Sequence, residues 1–408
     1  MEQRGFVFHE QNLLSPDAAV ATFLRRAPLA PPGVERVALD EALGRVLAQR
    51  AQADADYPDA PRSAMDGWAI QSSQTPGRFA ILGEVTMGDV WSGRVDPGQA
   101  VRIPTGGVVP DGCDAVVPVE DAQLQGTSVL IPMPVAAAEN VTPRASDMHA
   151  GDLVLEAGTR IGAAHLGVLA TLDITDVTVF RRPLFAVLSS GDELIAPGDR
   201  PQPGKIRDSN RYAIAGALRA MGAQVRHWPT VSDRPGALEA ALREALAACD
   251  GAIVSGGSSV GERDHTPGAM AALGEPGVIV HGLRVKPGKP TVLAALGARP
   301  VIGLPGNPAS ALMILEAVLA PVIAAIVGAP CRPGVTAARL SAPMTSRRGW
   351  TWYLPVRLED ERGSFVAHPI PLRSSSVSLA ARADGFVVMP EAAEKWDAGR
   401  NVTVTHFL

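Results

Sequence analysis

The stretch Asp250-Gly-Ala-Ile-Val-Ser-Gly-Gly-Ser-Ser-Val-Gly-Glu-Arg-Asp-His-Thr266 decides how the chain is read. Its apolar start, Ala252-Ile-Val254, is the kind of run that a strand buried on both faces shows. The run gives way to Ser255, Gly256, Gly257, Ser258, Ser259 and Gly261. Glycines there permit positive φ and close approach, successive N–H groups form an anion-holding nest, and hydroxyls add donors. Asp264, just past the turn, is the residue type that holds a cation against a phosphate. Alone, such a loop reads equally as an ordinary strand-end turn. Its surroundings tip the balance.

Around it, residues 181–329 alternate. Strands are expected at 184–188, 224–228, 252–254 and 277–280, with helices over 211–221, 235–248 and 267–273. That alternation predicts a parallel α/β sheet with helices on both faces and its ligands at the strand C-terminal ends. The polar loops fall at those ends. Ser189-Ser-Gly-Asp-Glu-Leu194 carries Asp192 and Glu193. Asp192 reads as a helix cap or a functional group, and Glu193 is the better metal or polar-ligand candidate. Asp208 and Ser209, in Ile206-Arg-Asp-Ser-Asn210, precede a helix and read as its cap or as ligand contacts. Asp233 reads first as a cap.

Lys286-Pro-Gly-Lys-Pro290 is more telling. Two lysines on a rigid Pro-Gly turn suit a diphosphate or an oxyanion. In Gly303-Leu-Pro-Gly-Asn-Pro-Ala-Ser310, residues Pro305, Gly306 and Asn307 lead into a helix whose N-terminus can take an anion.

The 408 residues exceed one ordinary core, so several domains are expected. Residues 1–50 with 142–180 read as an elongated N-terminal domain, including a helix opened by Ser15-Pro16-Asp17 and a short amphipathic helix before Leu47. Short β runs separated by Gly and Pro make residues 51–141 an inserted, mostly β lobe. Its loops Arg62-Ser-Ala-Met-Asp-Gly-Trp68 and Ile103-Pro-Thr-Gly-Gly107 hold Asp66 and Thr105, ordinary turn residues in isolation. Residues 330–408 read as a β tail domain.

A net charge of −5 argues against nucleic-acid binding. Three distant cysteines make neither a disulfide framework nor a zinc site, and the N-terminus shows no signal-peptide pattern, so a cytoplasmic protein is expected. Residues 311–329 are the most apolar, but Glu316 and Pro321 interrupt them, which predicts a buried helix and no membrane span. HExxH, GxSxG, P-loop and dinucleotide fingerprints are absent, and no histidines pair at ligand spacing. What remains is a rim of carboxylates, glycines and lysines suited to a phosphorylated ligand and an oxygen-bound divalent metal.

Taken together, Ser63-Ala-Met-Asp-Gly, Pro104-Thr-Gly, Leu188-Ser-Ser-Gly-Asp-Glu-Leu, Arg207-Asp-Ser-Asn, the Ser255 glycine loop, Lys286-Pro-Gly-Lys-Pro and Gly303-Leu-Pro-Gly-Asn-Pro resemble the molybdopterin molybdenumtransferase family (MoeA and the gephyrin E domain). The order matches over nearly the whole chain. The resemblance implies a four-domain elongated homodimer whose α/β domain is similar to the molybdopterin adenylyltransferase fold. It implies conversion of adenylylated molybdopterin and molybdate to molybdenum cofactor and AMP, with Mg²⁺.

On that resemblance, Glu193 and Asp264 are the expected metal ligands, and Lys286 and Lys289 balance phosphate and molybdate charge. Asp66 and Thr105 would close the cleft from the other subunit. Ser63, Asp147, Asp208 and Asp233 match further family positions. A molybdopterin adenylyltransferase and recipient molybdoenzymes are the expected protein partners. Departures fall at Ala145, Gly282, Pro355 and the segment 372–376, where Arg373 is the candidate replacement charge. The alternatives are an adenylyltransferase-like or divergent paralogue, and a non-catalytic cofactor-binding scaffold.

Overall fold

The computed structural model describes residues 12–200, 202–256, 266–371 and 376–408. The chain divides into two compact units, one made of residues 1–48, 158–162 and 176–408, the other of 49–157 and 163–175.

The first unit is built on a six-stranded sheet in the order Gln224–His227, Leu184–Ser189, Gly251–Ser255, Arg299–Leu304, Val292–Leu296, Pro276–His281. Its central strand, Gly251–Ser255, is buried at every position. Helices Asn210–Ala220 and Pro308–Ala317 pack on one face, where Ile214, Leu218 and Ile314 meet Ile253 and Ile302. Helices Ala237–Ala248 and Thr266–Ala271 cover the other with Leu242, Leu246 and Met270. Each such side chain contributes about 1.5–3 kcal/mol by leaving water. The expected all-parallel sheet is corrected at one strand. Val292–Leu296 runs antiparallel to both neighbours, because the tight Gly297 turn returns the chain directly into Arg299–Leu304.

The helix expected before Leu47 is also corrected. Strand Val34–Ala38 pairs with Asp176–Phe180, and after a 3-10 turn Val46 and Leu47 bridge to Arg160 and Val179. Pairing that buries Val46 and Leu47 outweighs the helical spacing of the apolar residues. Ser15 does cap helix Pro16–Arg26, its hydroxyl accepting the Ala18 N–H at 3.3 Å. The apolar segment forms two helices, Pro308–Ala317 and Ala320–Val327, bent by 55°. Among the described residues no single helix is long and apolar enough to cross a membrane.

The tail closes into a barrel, Thr351–Glu361, Ser364–Pro369, Val335–Leu340, Asn401–His406 and Gly385–Met389, which pairs back to Thr351–Glu361. Strand Val285–Lys286 joins it beside Thr351 and Trp352.

The second unit centres on a six-stranded sheet containing Gly67–Ile70, Gly77–Glu84, Gln99–Ile103, Ala115–Pro118 and Ser128–Ile131, packed around Phe79, Ile70 and Ile131.

Candidate active site

Three strand ends of the α/β sheet are in register. Ser189 pairs with Ser255, and Ser255 with Leu304, so the loops after them leave at one edge. The antiparallel strand puts Val292 opposite Gly303, which brings the Lys286-Pro-Gly-Lys-Pro290 turn to that same edge. Loops distant in sequence therefore share a rim, as strand-end ligand sites require.

Close backbone approach builds the middle of the rim. Gly256 has φ +97°, and a Cβ there would lie 2.3 Å from the Ser190 carbonyl oxygen. On its other side, a Cβ on Gly306 would stand 3.5 Å from Gly256 Cα. Buried Asn210 fastens both loops, donating from Nδ2 to Ser255 Oγ at 2.6 Å and to the Gly306 carbonyl at 2.8 Å.

To one side stand the acids. The Asp192 N–H donates to Asp233 Oδ2, and the Asp233 N–H to Asp192 Oδ1, both at 3.3 Å. The Ser190 hydroxyl lies 3.5 Å from Asp233 Oδ1. Asp233 is thus no helix cap, correcting the first reading: helix Ala237–Ala248 begins after Gly236 without a side-chain cap. Asp192 likewise precedes a turn and a short strand, not a helix. Exposed Glu193 folds back so that a Cβ on Gly191 would meet its carboxylate at 2.5 Å. Asp208 does cap. Only 4% exposed, it accepts the Arg211 N–H at 3.1 Å and lies 3.1 Å from that guanidinium, while the Ser209 side chain makes no cap bond.

To the other side is a cavity of about 450 Å³, lined by Lys286, Lys289, Pro305, Asn307 and Ser310, with Trp352 from the barrel and Arg347 and Trp350 from the turn that leads into it. Lys286 Nζ sits 4.1 Å from the Trp352 ring centroid and Lys289 Nζ 5.7 Å from that of Trp350. The Arg347 guanidinium faces the Trp350 ring at 5.3 Å. Such faces attract and orient cations. Gly288, at φ +108°, lets the lysine turn lie on helix Pro308–Ala317, since a Cβ there would meet Ile314 at 2.1 Å.

The second unit brings its own predicted residues together. Asp66 Oδ1 accepts the Thr105 N–H at 2.7 Å and its hydroxyl at 2.9 Å. These bonds, the N–H first, hold the Asp66 carboxyl below its ordinary value, with the Arg102 charge adding to them. Buried Ser63 joins the same loop pair, its carbonyl accepting from Gly106 N at 2.7 Å and its N–H donating to the Gly107 carbonyl at 2.9 Å. Asp147 is exposed on another turn, its N–H donating to Tyr57 O at 3.1 Å. Gly257, Ser258, Ser259, Gly261, Asp264 and Arg373 lie outside the described residues.

Three family models match in order: the MoeA N-terminal region (domain I and II) over residues 14–172, a probable molybdopterin binding domain over 186–325, and the MoeA C-terminal region (domain IV) over 337–407. A molybdopterin molybdenumtransferase of Haemophilus influenzae is 30% identical over 409 residues, covering 97% of this chain and 99% of its own length. The chain belongs to the molybdopterin molybdenumtransferase family. A family member from Nostoc sp. is 36% identical over 299 residues, 71% of this chain and 68% of that protein. The crystal structure of a molybdopterin biosynthesis MoeA protein from Pyrococcus horikosii superposes with a TM-score of 0.81 at 31% identity, covering 97% of this chain and 99% of that one.

Within this molybdenumtransferase framework, sequence reasoning missed Asn210, Arg347, Trp350 and Trp352. Asn210 ended a quoted motif but looked like the first residue of a helix, which it also is. Arg347-Arg348-Gly-Trp350-Thr-Trp352 did carry a signal, a basic pair beside alternating tryptophans, but it was absorbed into the β tail domain read over 330–408.

Proposed function

We propose that this chain inserts molybdenum from molybdate into adenylylated molybdopterin, with release of AMP. As a member of its family it is a transferase of molybdenum cofactor biosynthesis; the adenylylated substrate and the AMP product are our reading. The observation that carries it is the cavity where Lys286, Lys289 and Arg347 gather beside Pro305 and Asn307, next to the Gly256–Gly306 contact. A dianionic oxyanion and a phosphoanhydride both need cations and N–H donors fixed in advance.

Breaking the link between the pterin phosphate and AMP needs charge neutralisation and alignment more than a covalent intermediate. In this reading Ser255, Gly256, Gly257, Ser258, Ser259 and Gly261 cradle the pterin-linked phosphate, aided by Pro305, Gly306 and Asn307. Lys286 and Lys289 balance the charge of molybdate and the leaving phosphate. Arg373 adds to that balance.

Magnesium takes oxygen ligands, often one or two carboxylates with water and substrate phosphate completing the shell. The rim acids Asp192 and Asp233 and the Ser190 hydroxyl are an oxygen-only set, and the Glu193 carboxylate stands by Gly191 on the same turn. No group of three or more His, Cys, Asp or Glu in ligand reach occurs among the described residues. That sparse set fits a magnesium ion sharing its ligands with substrate. Glu193 and Asp264 are assigned to hold it, and when bound it would neutralise phosphate charge. We assign the working form as a cytoplasmic homodimer in which Ser63, Asp66, Thr105 and Asp147 serve the cleft of the other copy. Its protein partners are a molybdopterin adenylyltransferase and recipient molybdoenzymes.

The test mixes the protein with adenylylated molybdopterin, molybdate and Mg²⁺ and follows AMP and molybdenum-loaded pterin together. Both should rise in step. Formation of the AMP adduct from ATP and free molybdopterin would replace this reading with the adenylyltransferase one. Tight cofactor binding without AMP release would replace it with the scaffold.

A further inference from the structure

The opposite edge of the α/β sheet, where its strands begin, carries a second basic concavity. Its volume is about 660 Å³, and Arg160, Arg182 and Arg219 line it with Gly44, Gly222 and Gln224. No carboxylate is among its described lining residues. Arg160 is fixed from behind, donating from Nη1 to the Gly44 carbonyl at 3.2 Å and from Nη2 to that of Met221 at 3.3 Å. Gly222, at φ +102°, makes room for it, since a Cβ there would lie 2.9 Å from Nη1.

Glu35 is engaged by Arg45. Neither Arg182 nor Arg219 has a side-chain hydrogen bond or ion pair among the described residues. Partial burial, then the Arg45 and Arg160 charges, draw Arg182 below its ordinary value, opposed by Glu35. Like charges gathered in a concavity with no carboxylate among its described lining residues favour an anion in the space between them. The guanidinium fork matches phosphate oxygens in pairs, and a concave site of this size admits a small molecule.

We propose that this concavity, lined by Arg160, Arg182 and Arg219, binds a small phosphate-bearing anion of diphosphate size, separately from the strand-end rim. The inference does not depend on the transferase reading.

Inorganic pyrophosphate, without magnesium and at low salt, is titrated calorimetrically into the full chain carrying K286A and K289A, which silences the rim lysines. Binding should persist, and adding R182A with R219A should weaken it at least about ten-fold. Removing two exposed charges elsewhere, with R25A and R26A, should leave it unchanged. Equal binding with and without Arg182 and Arg219, equal weakening by the Arg25 and Arg26 changes, or no binding to the lysine variant would each overturn the proposal. All these arginines except Arg160 are exposed, so the variants should melt with the parent, which a thermal scan checks.

Discussion

Asn210 donates to Ser255 Oγ at 2.6 Å, and the same amide nitrogen reaches the Gly306 carbonyl at 2.8 Å. One buried side chain thereby sets the spacing between the end of strand Gly251–Ser255 and the Pro305–Asn307 turn. Asn210→Ala should cost about 1–3 kcal/mol, the price of leaving buried polar partners unmet. Asn210→Asp should lower kcat/KM further, because an acceptor would then face the Gly306 acceptor. Urea unfolding and transferase kinetics check both, and wild-type values in either variant would remove the role.

Gly256 is hemmed in by the Ser190 carbonyl oxygen, 2.3 Å from where a Cβ would be, at a φ of +97°. Backbone cannot yield as a flexible side chain does. Gly256→Ala should therefore destabilise the chain by about 2–4 kcal/mol, combining left-handed strain with overpacking. Gly236→Ala, at φ +79° with nothing within 4 Å, supplies the strain without the clash. A larger loss at Gly256 in denaturant unfolding is the expected outcome, and equal losses would refute the clash.

These two sites also show what was legible in advance. The Ser255–Gly256 strand end, the lysine turn and the Asp192–Glu193 turn could be assigned to one sheet edge because βα alternation fixes which strand ends carry loops. The antiparallel strand Val292–Leu296 escaped notice because a continuous apolar run has no period that reports direction. Asp233 was misjudged because Ser-Asp before a helix is a cap signature, whereas its carboxylate faces Asp192 forty-odd residues away in the chain. The basic and aromatic signal at Arg347 and Trp350 did not say where those residues would sit, for a related reason. Their meeting with Lys289 depends on strand Val285–Lys286 joining the barrel, a long-range pairing that no local pattern encodes.

In the second unit, the Thr105 N–H and hydroxyl depress the Asp66 pKa. A folded-state pKa below the unfolded one gives stability that is present above the ordinary carboxylate value and lost as pH falls through the depressed one. Carbon-detected NMR titration should find Asp66 titrating below a reference aspartate. Thr105→Val, which keeps the N–H and deletes the hydroxyl, should raise the midpoint part of the way back. A midpoint insensitive to Thr105→Val would contradict the assigned cause.

Lys286 lies over the Trp352 ring at 4.1 Å, and the ring holds the ammonium at the cavity wall. At an exposed lysine that attraction is about 0.5–1 kcal/mol. Trp352→Leu should thus raise the KM for molybdate about two- to five-fold, with kcat nearly unchanged, and Trp352→Phe should recover part of the loss. Steady-state kinetics with molybdate varied decide it; a fall in kcat at constant KM would mean the ring acts on the chemistry instead.

The paired acids at the other end of the rim invite a sharper test. Asp192 and Asp233 each accept the other's backbone N–H, so their turns are held by carbonyl-type acceptors, which an asparagine side chain also supplies. Asp192→Asn and Asp233→Asn should therefore fold and melt much like the parent while losing one negative charge each. If these acids flank a magnesium ion held by Glu193, Asp264 and substrate phosphates, either change should raise the half-saturating Mg²⁺ concentration by up to about ten-fold, since lost charge-assisted contacts are of that order. Excess Mg²⁺ should then restore most of the turnover. A purely structural pair predicts the reverse pattern, a lowered melting temperature with an unaltered Mg²⁺ requirement. The charge on these two groups, separated from their hydrogen-bonding shape, is what the substitution measures.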